Sequence, residues 1–437
     1  MKKLLLCILV IFVSIFALTG CEDSDKKEYG TTVYHELSDA TAREARKSFN
    51  FFWATANTDE TSMGYGLIPD RFPSNGLASI ASVGYGLTAI PIGIKNGWIT
   101  YEEGYDRTLK TLKSIKELER VEGFYYHFYS EKYGIKSPNT EVSNIDTAIL
   151  LCGALFAGQY FGGEVNKVAN EIYDAVNWPW YINPKTKLFY MSYKPENPDG
   201  KKFEGAWDVY GEQLMMYFLA AGSKTHPIDS SVYYAFRREY GRYGDYEFIY
   251  SWFGSIFTYQ FSHAWIDFRG MVDEDGTNWY DNSVQATYAN YQYCIDNSNQ
   301  FKTFSNTSWG LTACDGPSGY EGKYGSAPSG HYSSSHYTDG TVALCGAIGS
   351  IAFAPEIVVP TIDYYYTALD GKLFGGYGFY DSYNLEKGVW IAKDVIGIDK
   401  GVSLLMIENY QSEFVWEVFM DCEFMDTAIK VLKFKKA

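Results

Sequence analysis

About a dozen segments of the sequence repeat apolar residues with the 3.6-residue period of an α-helix. Glycine, proline, asparagine and aromatic residues separate these segments, as expected of helix ends and loops. The segments begin near Ala40, Ala78, Thr100, Ser143, Glu164, Asp208, Asp281, Gly340, Pro355, Asp399 and Glu413. This pattern predicts an all-α chain, with small β hairpins at most in its loops.

The predicted helices alternate between two kinds. Residues 100–118 are rich in Lys, Arg and Glu and keep one apolar stripe, whereas residues 145–160 and 209–221 are apolar on nearly every face. A helix that is apolar all round must be buried on most sides. Alternating outer and inner helices favour an (α/α)6 toroid, in which the long aromatic-rich loops before the inner helices would gather at one end and wall a cleft.

The N-terminus has the pattern of an exported lipoprotein. Lys2 and Lys3 precede the apolar run of residues 4–17, and Leu-Thr-Gly leads to Cys21. A transmembrane anchor is the alternative, but the run is short for a bilayer. We therefore expect a signal peptide at 1–20, lipidation at Cys21, a polar tether at 21–38 and one domain at 39–437. The expected location is a membrane surface in the periplasm or on the cell exterior.

The charge balance and the cysteines exclude several classes of protein. The net charge is -16 from 37 basic and 53 acidic residues, which disfavours nucleic acid as a partner. Five cysteines remain after Cys7 and Cys21, an odd number in mainly apolar contexts, so we expect buried thiols. The sequence has neither CxxC nor HExxH spacing and no complete calcium loop, so we expect no metal, no cofactor and a monomer.

Aromatic residues make up 18% of the chain, including 39 tyrosines and 11 tryptophans. Many lie in polar, glycine-rich stretches such as residues 123–129, although part of the total must belong to the core. Flat rings with polar rims suit the C–H faces of sugars. The composition therefore favours a carbohydrate ligand.

Glu212 is the first candidate for chemistry. We predict that Asp208 caps a helix and that Glu212 lies one turn inside it, on an otherwise apolar helix. A carboxylate there must be paired, neutral or facing a wet cleft. Burial among aromatic residues would raise its pKa, as a general acid for glycoside cleavage requires, while a structural hydrogen bond is the alternative.

Glu141 and Asp146 are candidates for a second carboxylate. Ser143 and Asp146 have the spacing of a capping box, which offers Asp146 a structural role, whereas Glu141 lies just outside the helix. Either could act as the base or nucleophile of glycoside hydrolysis. The sequence leaves the choice between them open.

Residues 252–269 form a dense polar and aromatic segment. Gln260, His263 and Trp265 suit sugar hydroxyls and rings, whereas for Asp267 and Arg269 we predict a structural ion pair. A glycine-rich match at residues 84–89 lacks the preceding strand of a dinucleotide fold, and no GxSxG elbow occurs.

Ordered motifs along the chain resemble the glycoamylase-like, or putative glucoamylase, domain family, from about Ala40 to Val431. They include residues 66–71, 81–87, 143–148, 210–212, 222–227, 257–269, 294–297, 339–343, 376–381 and 405–410. The family includes enzymes that cut β-1,2-glucan and a domain of cyclic β-1,2-glucan synthases. The resemblance implies an (α/α)6 toroid and a glycosidase with acidic catalysts in a central cleft.

By position, Glu212 resembles the family's acid in its Tyr-x-Glu motif, and Asp146 the acidic residue of its Ile-Asp-Thr motif. We assign substrate binding to Arg71, Trp207, Gln260, His263, Trp265, Trp309, Asp315 and Glu408. The predicted function is hydrolysis of a glucan oligosaccharide or polysaccharide with Glu212, Asp146 and Glu141 as catalysts. The alternative is a lipid-anchored glycan-binding protein without turnover.

Overall fold

A computed structural model describes residues 27–329 and 335–437, and these residues are predominantly helical. The helices in chain order are α1 (Asp39–Thr55), α2 (Ile80–Lys95), α3 (Tyr101–Lys116), α4 (Asn144–Phe161), α5 (Gly163–Asp174), α6 (Leu214–Gly222), α7 (Ser230–Tyr233), α8 (Trp279–Asp296), α9 (Leu344–Ile348), α10 (Pro355–Gly371), α11 (Gly397–Ser412), α12 (Phe414–Met420) and α13 (Glu423–Val431). Short 3-10 turns occupy Trp178–Tyr181, Ile256–Tyr259 and Ser262–Ala264.

The predicted helix starts lie within four residues of those in the structure, except at α6. Asp208 does not cap that helix, because Val209 forms a bridge with Arg237 and turns follow before α6 begins at Leu214. Glu212 therefore lies two residues before the helix instead of one turn inside it. The sequence prediction also missed α7, which has only four residues, and α13, which follows α12 almost directly.

Short antiparallel strands lie in the loops. They are the predicted small β hairpins, but they are more numerous than the sequence indicates. They are β1 (Arg71–Phe72), β2 (Leu77–Ser79), β3 (Arg120–Val121), β4 (Phe124–Tyr125), β5 (Phe128–Ser130), β6 (Val142–Ser143), β7 (Ser192–Tyr193), β8 (Phe203–Glu204), β9 (Tyr240–Tyr243), β10 (Tyr246–Ile249), β11 (Met271–Val272), β12 (Cys314–Gly316), β13 (Gly319–Glu321), β14 (Val342–Ala343), β15 (Phe374–Gly375), β16 (Gly378–Phe379), β17 (Ser382–Asn384), β18 (Trp390–Ile391), β19 (Val395–Ile396) and β20 (Lys435–Lys436). The sheets have two or three strands, such as β1–β19, β2–β5 and β6–β7–β8.

Five helices form the interior of the domain: α2, α4, α6, α9 and α11. Residues 80–93 of α2 and every residue of α6 are buried, as their all-apolar sequences predict. Helix α2 packs against both α4 and α11, α4 contacts α6, and α9 contacts α11. The 3-10 segment 256–264 lies between α6 and α9, because Ser262 bonds to the start of α6 and Gln260 bonds to Gly346 of α9.

Two glycines allow α2 and α4 to approach closely. A Cβ atom on Gly153 would lie 1.9 Å from the carbonyl oxygen of Gly84, and one on Gly84 would lie 2.3 Å from the carbonyl oxygen of Ile149. A side chain at either position would force the helices apart. The glycine-rich stretch at residues 84–89 therefore serves helix packing.

The outer helices have one buried stripe. In α3 the buried residues are Gly104, Thr108, Thr111, Leu112 and Ile115, which recur at helical spacing, and a capping box between Thr100 and Glu103 begins the helix. Helix α3 packs on α5, and α1 packs on α11. The outer role predicted for residues 100–118 is confirmed.

Four interior helices begin directly after a short strand. Strands β2, β6, β14 and β19 end at the residues before α2, α4, α9 and α11, respectively. Each strand pairs with a strand from another loop, so the paired loops fix the helix N-termini. Side chains in the first turns of these helices are thereby brought to one end of the domain.

The described part of the N-terminal segment lies at the opposite end. Lys27 and Tyr29 both bond to Asp421, and the backbone of His35 bonds to Gln411 at the C-terminal end of α11. Residues 1–26, with the predicted signal peptide and Cys21, lie outside the described residues. Among the helices of residues 27–329 and 335–437, none is both long and apolar enough to span a bilayer.

Candidate active site

A cavity of about 470 Å³ lies at the end of the domain where the interior helices begin. Its walls come from the first turn of α4, the loops before α4 and α6, the 3-10 segment 256–264 and the hairpin β12–β13. The lining residues are His127, Glu141, Ser143, Ile145, Asp146, Ile149, Met191, Ser192, Glu204, Gly205, Trp207, Glu212, Phe257, Phe261, Tyr320 and Ile398. The cavity thus combines carboxyl groups with aromatic and aliphatic surfaces, which is the composition of a sugar-binding cleft.

The start of α4 positions one pair of these carboxylates. Ser143 accepts a hydrogen bond from the backbone N–H of Asp146 at 3.2 Å, which caps the helix. The Asp146 side chain turns towards His127, with its Oδ2 3.7 Å from the imidazole Nδ1. Glu141, in the loop before the helix, lies 3.0 Å from the same nitrogen. Glu141 and Asp146 both line the cavity.

His127 is held between these two carboxylates. Burial lowers the pKa of its imidazole, but the negative charges of Asp146, Glu141 and Asp70 outweigh burial and raise the pKa to about 9. The imidazolium in turn lowers the pKa of Glu141 through their hydrogen bond. At neutral pH this wall therefore carries a protonated histidine that donates to an ionised Glu141.

Glu212 faces the same cavity, but its carboxyl is protonated at neutral pH, whereas that of Glu141 is ionised. Burial raises the pKa of its carboxyl to about 8, and the charge of Asp146 adds to the increase. Its backbone carbonyl accepts a hydrogen bond from Ser262 at 2.7 Å, which fixes the turn before α6. Glu212 consequently holds its proton at neutral pH while facing a space large enough for sugar units.

Arg71 organises a second acidic cluster beside the cavity. Its Nη1 lies 3.1 Å from both Asp315 and Asp394, and its Nε lies 3.3 Å from Asp70. Burial raises the pKa of Asp70, although the guanidinium of Arg71 opposes that rise. The ion pairs join β1 and β19 to the hairpin β12–β13. Arg71 and Asp315 therefore border the site, but they are engaged with each other.

Asp381 and Asp399 form a buried carboxyl pair in the same region. Burial raises the pKa of both carboxyls, and the charge of Asp399 raises that of Asp381 further. Asp381 accepts a hydrogen bond from the backbone N–H of Asp315 at 2.6 Å, and the Cys345 thiol contacts Asp399. Two close carboxyls in this setting share a proton instead of ionising together.

The structure corrects part of the predicted binding set. Two tryptophans assigned to the cleft, Trp265 and Trp309, are fully buried. The indole N–H of Trp265 donates to Thr88 at 3.0 Å, and that of Trp309 donates to Thr361 at 2.9 Å. Their polar atoms are thus used by neighbouring helices, and neither ring lines the cavity.

Gln260, His263 and Glu408 are also core residues. Gln260 donates to Gly346 and Ser350, both at 2.8 Å, while burial lowers the pKa of His263 to about 3 and keeps it neutral beside Ser283. The cavity is instead lined from this segment by Phe257 and Phe261. Glu408 lies near the other end of α11 and pairs with Lys95 at 3.1 Å.

Trp207 does line the cavity, as predicted. Its indole N–H donates to Asn144 at 3.3 Å, which links the loop before α6 to the first residue of α4. Asp267 and Arg269 form the predicted structural ion pair at 2.8 Å. Of the three tryptophans assigned to the cleft, Trp207 is therefore the one that lines the cavity.

Sequence reasoning missed several site residues: His127, Phe257, Phe261, Tyr320, Asp381 and Asp399. A signal for Asp399 was present, because Ile145-Asp146 and Ile398-Asp399 both occupy the second and third positions of an interior helix. Both isoleucines line the cavity. Within residues 27–329 and 335–437, no group of three or more His, Cys, Asp or Glu side chains has the arrangement of a metal site.

The model of the Glycoamylase family, described as "Putative glucoamylase", matches residues 204–423, which is half of the chain. A curated relative, the exo β-1,2-glucooligosaccharide sophorohydrolase (non-reducing end) of Parabacteroides distasonis, is 25% identical over 446 aligned positions. That alignment covers 91% of this chain and 58% of the relative, so the chain spans little more than half of the relative's length.

Two solved structures share the fold. A "putative glucoamylase" of Bacteroides uniformis is 27% identical, with a TM-score of 0.81 over 92% of this chain and 99% of that one. An endo-β-1,2-glucanase of Chitinophaga pinensis is 24% identical, with the same TM-score and the same coverages. The family model includes Glu204, Glu212, Asp381 and Asp399 of the site described above, and the chain belongs to the Glycoamylase family.

Proposed function

We propose that this protein is a glycoside hydrolase that cleaves a glucan by carboxylate acid and base catalysis. The observation that carries the proposal is Glu212, a carboxyl that stays protonated near neutral pH and faces a cavity lined by further carboxylates and aromatic rings. Glycoside cleavage needs an acid with a raised pKa next to an ionised carboxylate. Glu212 is the acid that donates its proton to the departing glycosidic oxygen.

Asp146 is the carboxylate that assists Glu212. It lines the cavity, and its negative charge reaches Glu212 strongly enough to raise the pKa of that residue. Glu141 accepts the hydrogen bond of His127, so its role is to hold the imidazolium. The variants Asp146→Asn and Asp399→Asn test this assignment. If Asp146→Asn keeps its turnover and Asp399→Asn loses it, the base belongs to the Asp381–Asp399 pair instead.

The substrate we propose is a β-1,2-linked glucooligosaccharide. The support is the sophorohydrolase of Parabacteroides distasonis, which aligns with 91% of this chain. Phe257 and Tyr320 offer ring faces for the pyranose units, and Trp207 lines the same cavity. The absence of any excess of basic residues also agrees with an uncharged substrate.

The fold we propose is the (α/α)6 toroid expected from the sequence, with one domain at residues 39–437. Its support is the order in which the interior elements contact each other, from α2 through α4, α6, segment 256–264, α9 and α11 back to α2. Export and lipidation at Cys21 complete the proposal. Lys27 and Tyr29 bond to Asp421, and the backbone N–H of His35 bonds to Gln411, so this part of the proposed tether is attached to the domain.

The deciding experiment measures reducing ends released from soluble glucans of several linkages. We expect products from β-1,2-glucan, and we expect Glu212→Gln to reduce kcat at least about a thousandfold without changing the fold. Glu36→Gln, at an exposed residue outside the cavity, is the matched control. Normal turnover by Glu212→Gln would remove the assigned acid, and binding without any product would instead indicate a glycan-binding protein.

A further inference from the structure

The hairpin β12–β13 projects a tyrosine over the cavity. Cys314–Gly316 pairs antiparallel with Gly319–Glu321, and Pro317 and Ser318 form the connection. Gly319 has a φ of 113°, a region that favours glycine, so the tight connection depends on this residue. Tyr320 follows directly and lines the cavity with 57% of its surface accessible.

The position of Tyr320 is fixed from the base of the hairpin. Asp315 lies directly opposite Tyr320 in the strand register, so both side chains are on one face. Asp315 is held by Arg71 at 3.1 Å and, through its backbone N–H, by Asp381 at 2.6 Å. The same contacts that order the acidic cluster therefore order the tyrosine.

The surroundings of Tyr320 suit a sugar better than an apolar ligand. Partial desolvation beside the carboxyl groups, together with the charges of Asp399, Asp381 and Glu212, raises the pKa of its hydroxyl above the usual value. The hydroxyl thus remains protonated and can donate a hydrogen bond. The accessible ring surface faces a cavity whose remaining walls include Trp207, Phe257 and Phe261.

We propose that Tyr320 is a substrate-binding residue, whose ring stacks on one pyranose unit and whose hydroxyl donates to a hydroxyl of that sugar. This inference rests on the proposed glycosidase function. It assigns to a single hairpin the positioning of the sugar next to Glu212. Three contacts of Asp315 hold the hairpin that carries this exposed ring. They are the ion pair with Arg71, the backbone N–H bond to Asp381 and the bond from the Ser382 hydroxyl to the Asp315 carbonyl.

Three variants test this role: Tyr320→Ala, Tyr320→Phe and, as a control, Tyr240→Ala. Tyr240 is similarly accessible at 63%, lies on the hairpin β9–β10 and does not line the cavity. Binding of β-1,2-linked glucotriose is measured by tryptophan fluorescence in a Glu212→Gln background, which prevents turnover. kcat and KM are measured with Glu212 present, and near-UV circular dichroism checks the fold.

We expect Tyr320→Ala to raise both Kd and KM about tenfold, because it loses the ring contact and the hydrogen bond. Tyr320→Phe keeps the ring and should raise them about threefold, and Tyr240→Ala should leave them unchanged. Binding by Tyr320→Ala within about twofold of its parent would overturn the proposal even if hydrolysis proceeds. A parent protein that binds and hydrolyses no glucan would instead refute the proposed function, and this inference with it.

Discussion

The imidazole Nδ1 of His127 lies 3.0 Å from Oε1 of Glu141 across one wall of the cavity. The two residues come from different segments of one loop region, and the backbone N–H of His127 also donates to the Glu141 carbonyl at 2.9 Å. Both the side chains and the backbone therefore fix this pair. Because the imidazolium also faces Asp146, it sets the charge balance around Glu212.

Replacing His127 by Gln should reduce kcat/KM about tenfold or more, because Asp146 and Glu141 lose the cation between them. His127 lowers the pKa of Glu212, so its removal should also move the alkaline limb of the activity profile to higher pH. A kcat/KM profile from pH 5 to 10 measures both effects. His226→Gln, on a surface turn, is the control, and an unchanged limb in His127→Gln would contradict the assigned charge.

Activity should fall on the alkaline side with an apparent pKa near 8, since Glu212 must keep its proton and its pKa is raised to about 8. Above that pH the acid is ionised, whereas His127 keeps its charge until its own pKa of about 9. The measurement is kcat/KM as a function of pH up to pH 10, in well-buffered solutions of constant ionic strength. Activity that stays level to pH 10 would show that Glu212 is not the acid.

The same carboxyl should make folding stability depend on pH. The folded-state pKa of Glu212 is above its ordinary value of 4.5, so between pH 4.5 and 8 the folded chain holds a proton that the unfolded chain releases, and stability falls as pH rises. Glu212→Gln lacks this loss. The stability of Glu212→Gln relative to the wild type should increase by about 1–3 kcal/mol from pH 5 to pH 8. This is less than the free energy that corresponds to the whole pKa shift of Glu212, because water in the cavity screens the carboxyl.

Chemical denaturation at both pH values measures this difference. The pKa of His127 is also raised, so the stabilisation of the fold by this residue decreases from pH 6.5 to 9. Because this decrease occurs in both proteins, it largely cancels in the comparison. A stability difference that is the same at pH 5 and pH 8 would contradict a protonated Glu212. The exposed variant Glu36→Gln should show no pH-dependent difference.

Glu212 and the interior helices could be predicted because both follow from burial. An acidic residue next to an all-apolar helix has few physical explanations, and the helical period is local in the sequence. His263, Trp265 and Trp309 illustrate the limit of that reasoning. A core aromatic residue with one satisfied polar atom has the same sequence appearance as a residue that contacts a ligand, and the partner that decides, such as Thr88 or Thr361, is distant in the chain.

The second acidic cluster could not be predicted for a related reason. Arg71, Asp315 and Asp394 meet only because β1 pairs with β19 and because the hairpin β12–β13 packs beside them. Strands of two or three residues have no periodicity that sequence reasoning can detect. For the neighbouring Asp399 the sequence contained one local clue, the Ile-Asp pair that begins both α4 and α11. In the structure both pairs occupy the second and third residues of an interior helix, and both isoleucines line the cavity.

A buried ion pair between Glu44 and Lys400 provides a test of the packing between α1 and α11. Lys400 Nζ lies 2.7 Å from Glu44 Oε1, with 5% and 0% of the two side chains exposed, and Glu44 also accepts the Phe379 N–H at 2.8 Å. Lys400→Met leaves this carboxylate without its cation and should destabilise the fold by about 3–5 kcal/mol. Lys110→Met, at an exposed ion pair, should destabilise the fold far less.

Equilibrium denaturation of both lysine variants measures the contrast. The double variant Glu44→Gln/Lys400→Met should recover part of the lost stability, because it removes the uncompensated charge and retains an amide that can accept from Phe379. Equal destabilisation by Lys400→Met and Lys110→Met would show that burial does not isolate the pair. Far-UV circular dichroism confirms that each variant retains its helices before unfolding.

Lipid anchoring would direct the cavity away from the membrane. Residues 27–35 lie beside the C-terminal ends of α4 and α11, whereas Asp146 and Asp399 lie in the first turns of the same helices. Helix α4 has 18 residues, which separates the two ends by about 27 Å. Cys21 lies six residues before Lys27, a reach of about 20 Å at most.

Two matched lysines report this orientation: Lys194 at the cavity end and Lys224 after α6 at the other end, each paired with a glutamate. In the full lipidated chain on vesicles, a dye on Lys224→Cys should transfer energy to headgroup acceptors several times more efficiently than a dye on Lys194→Cys. The five described native cysteines are buried, so labelling selects the introduced thiol. Equal or reversed transfer would contradict the orientation, while Cys21→Ala should abolish vesicle association and so tests the anchor separately.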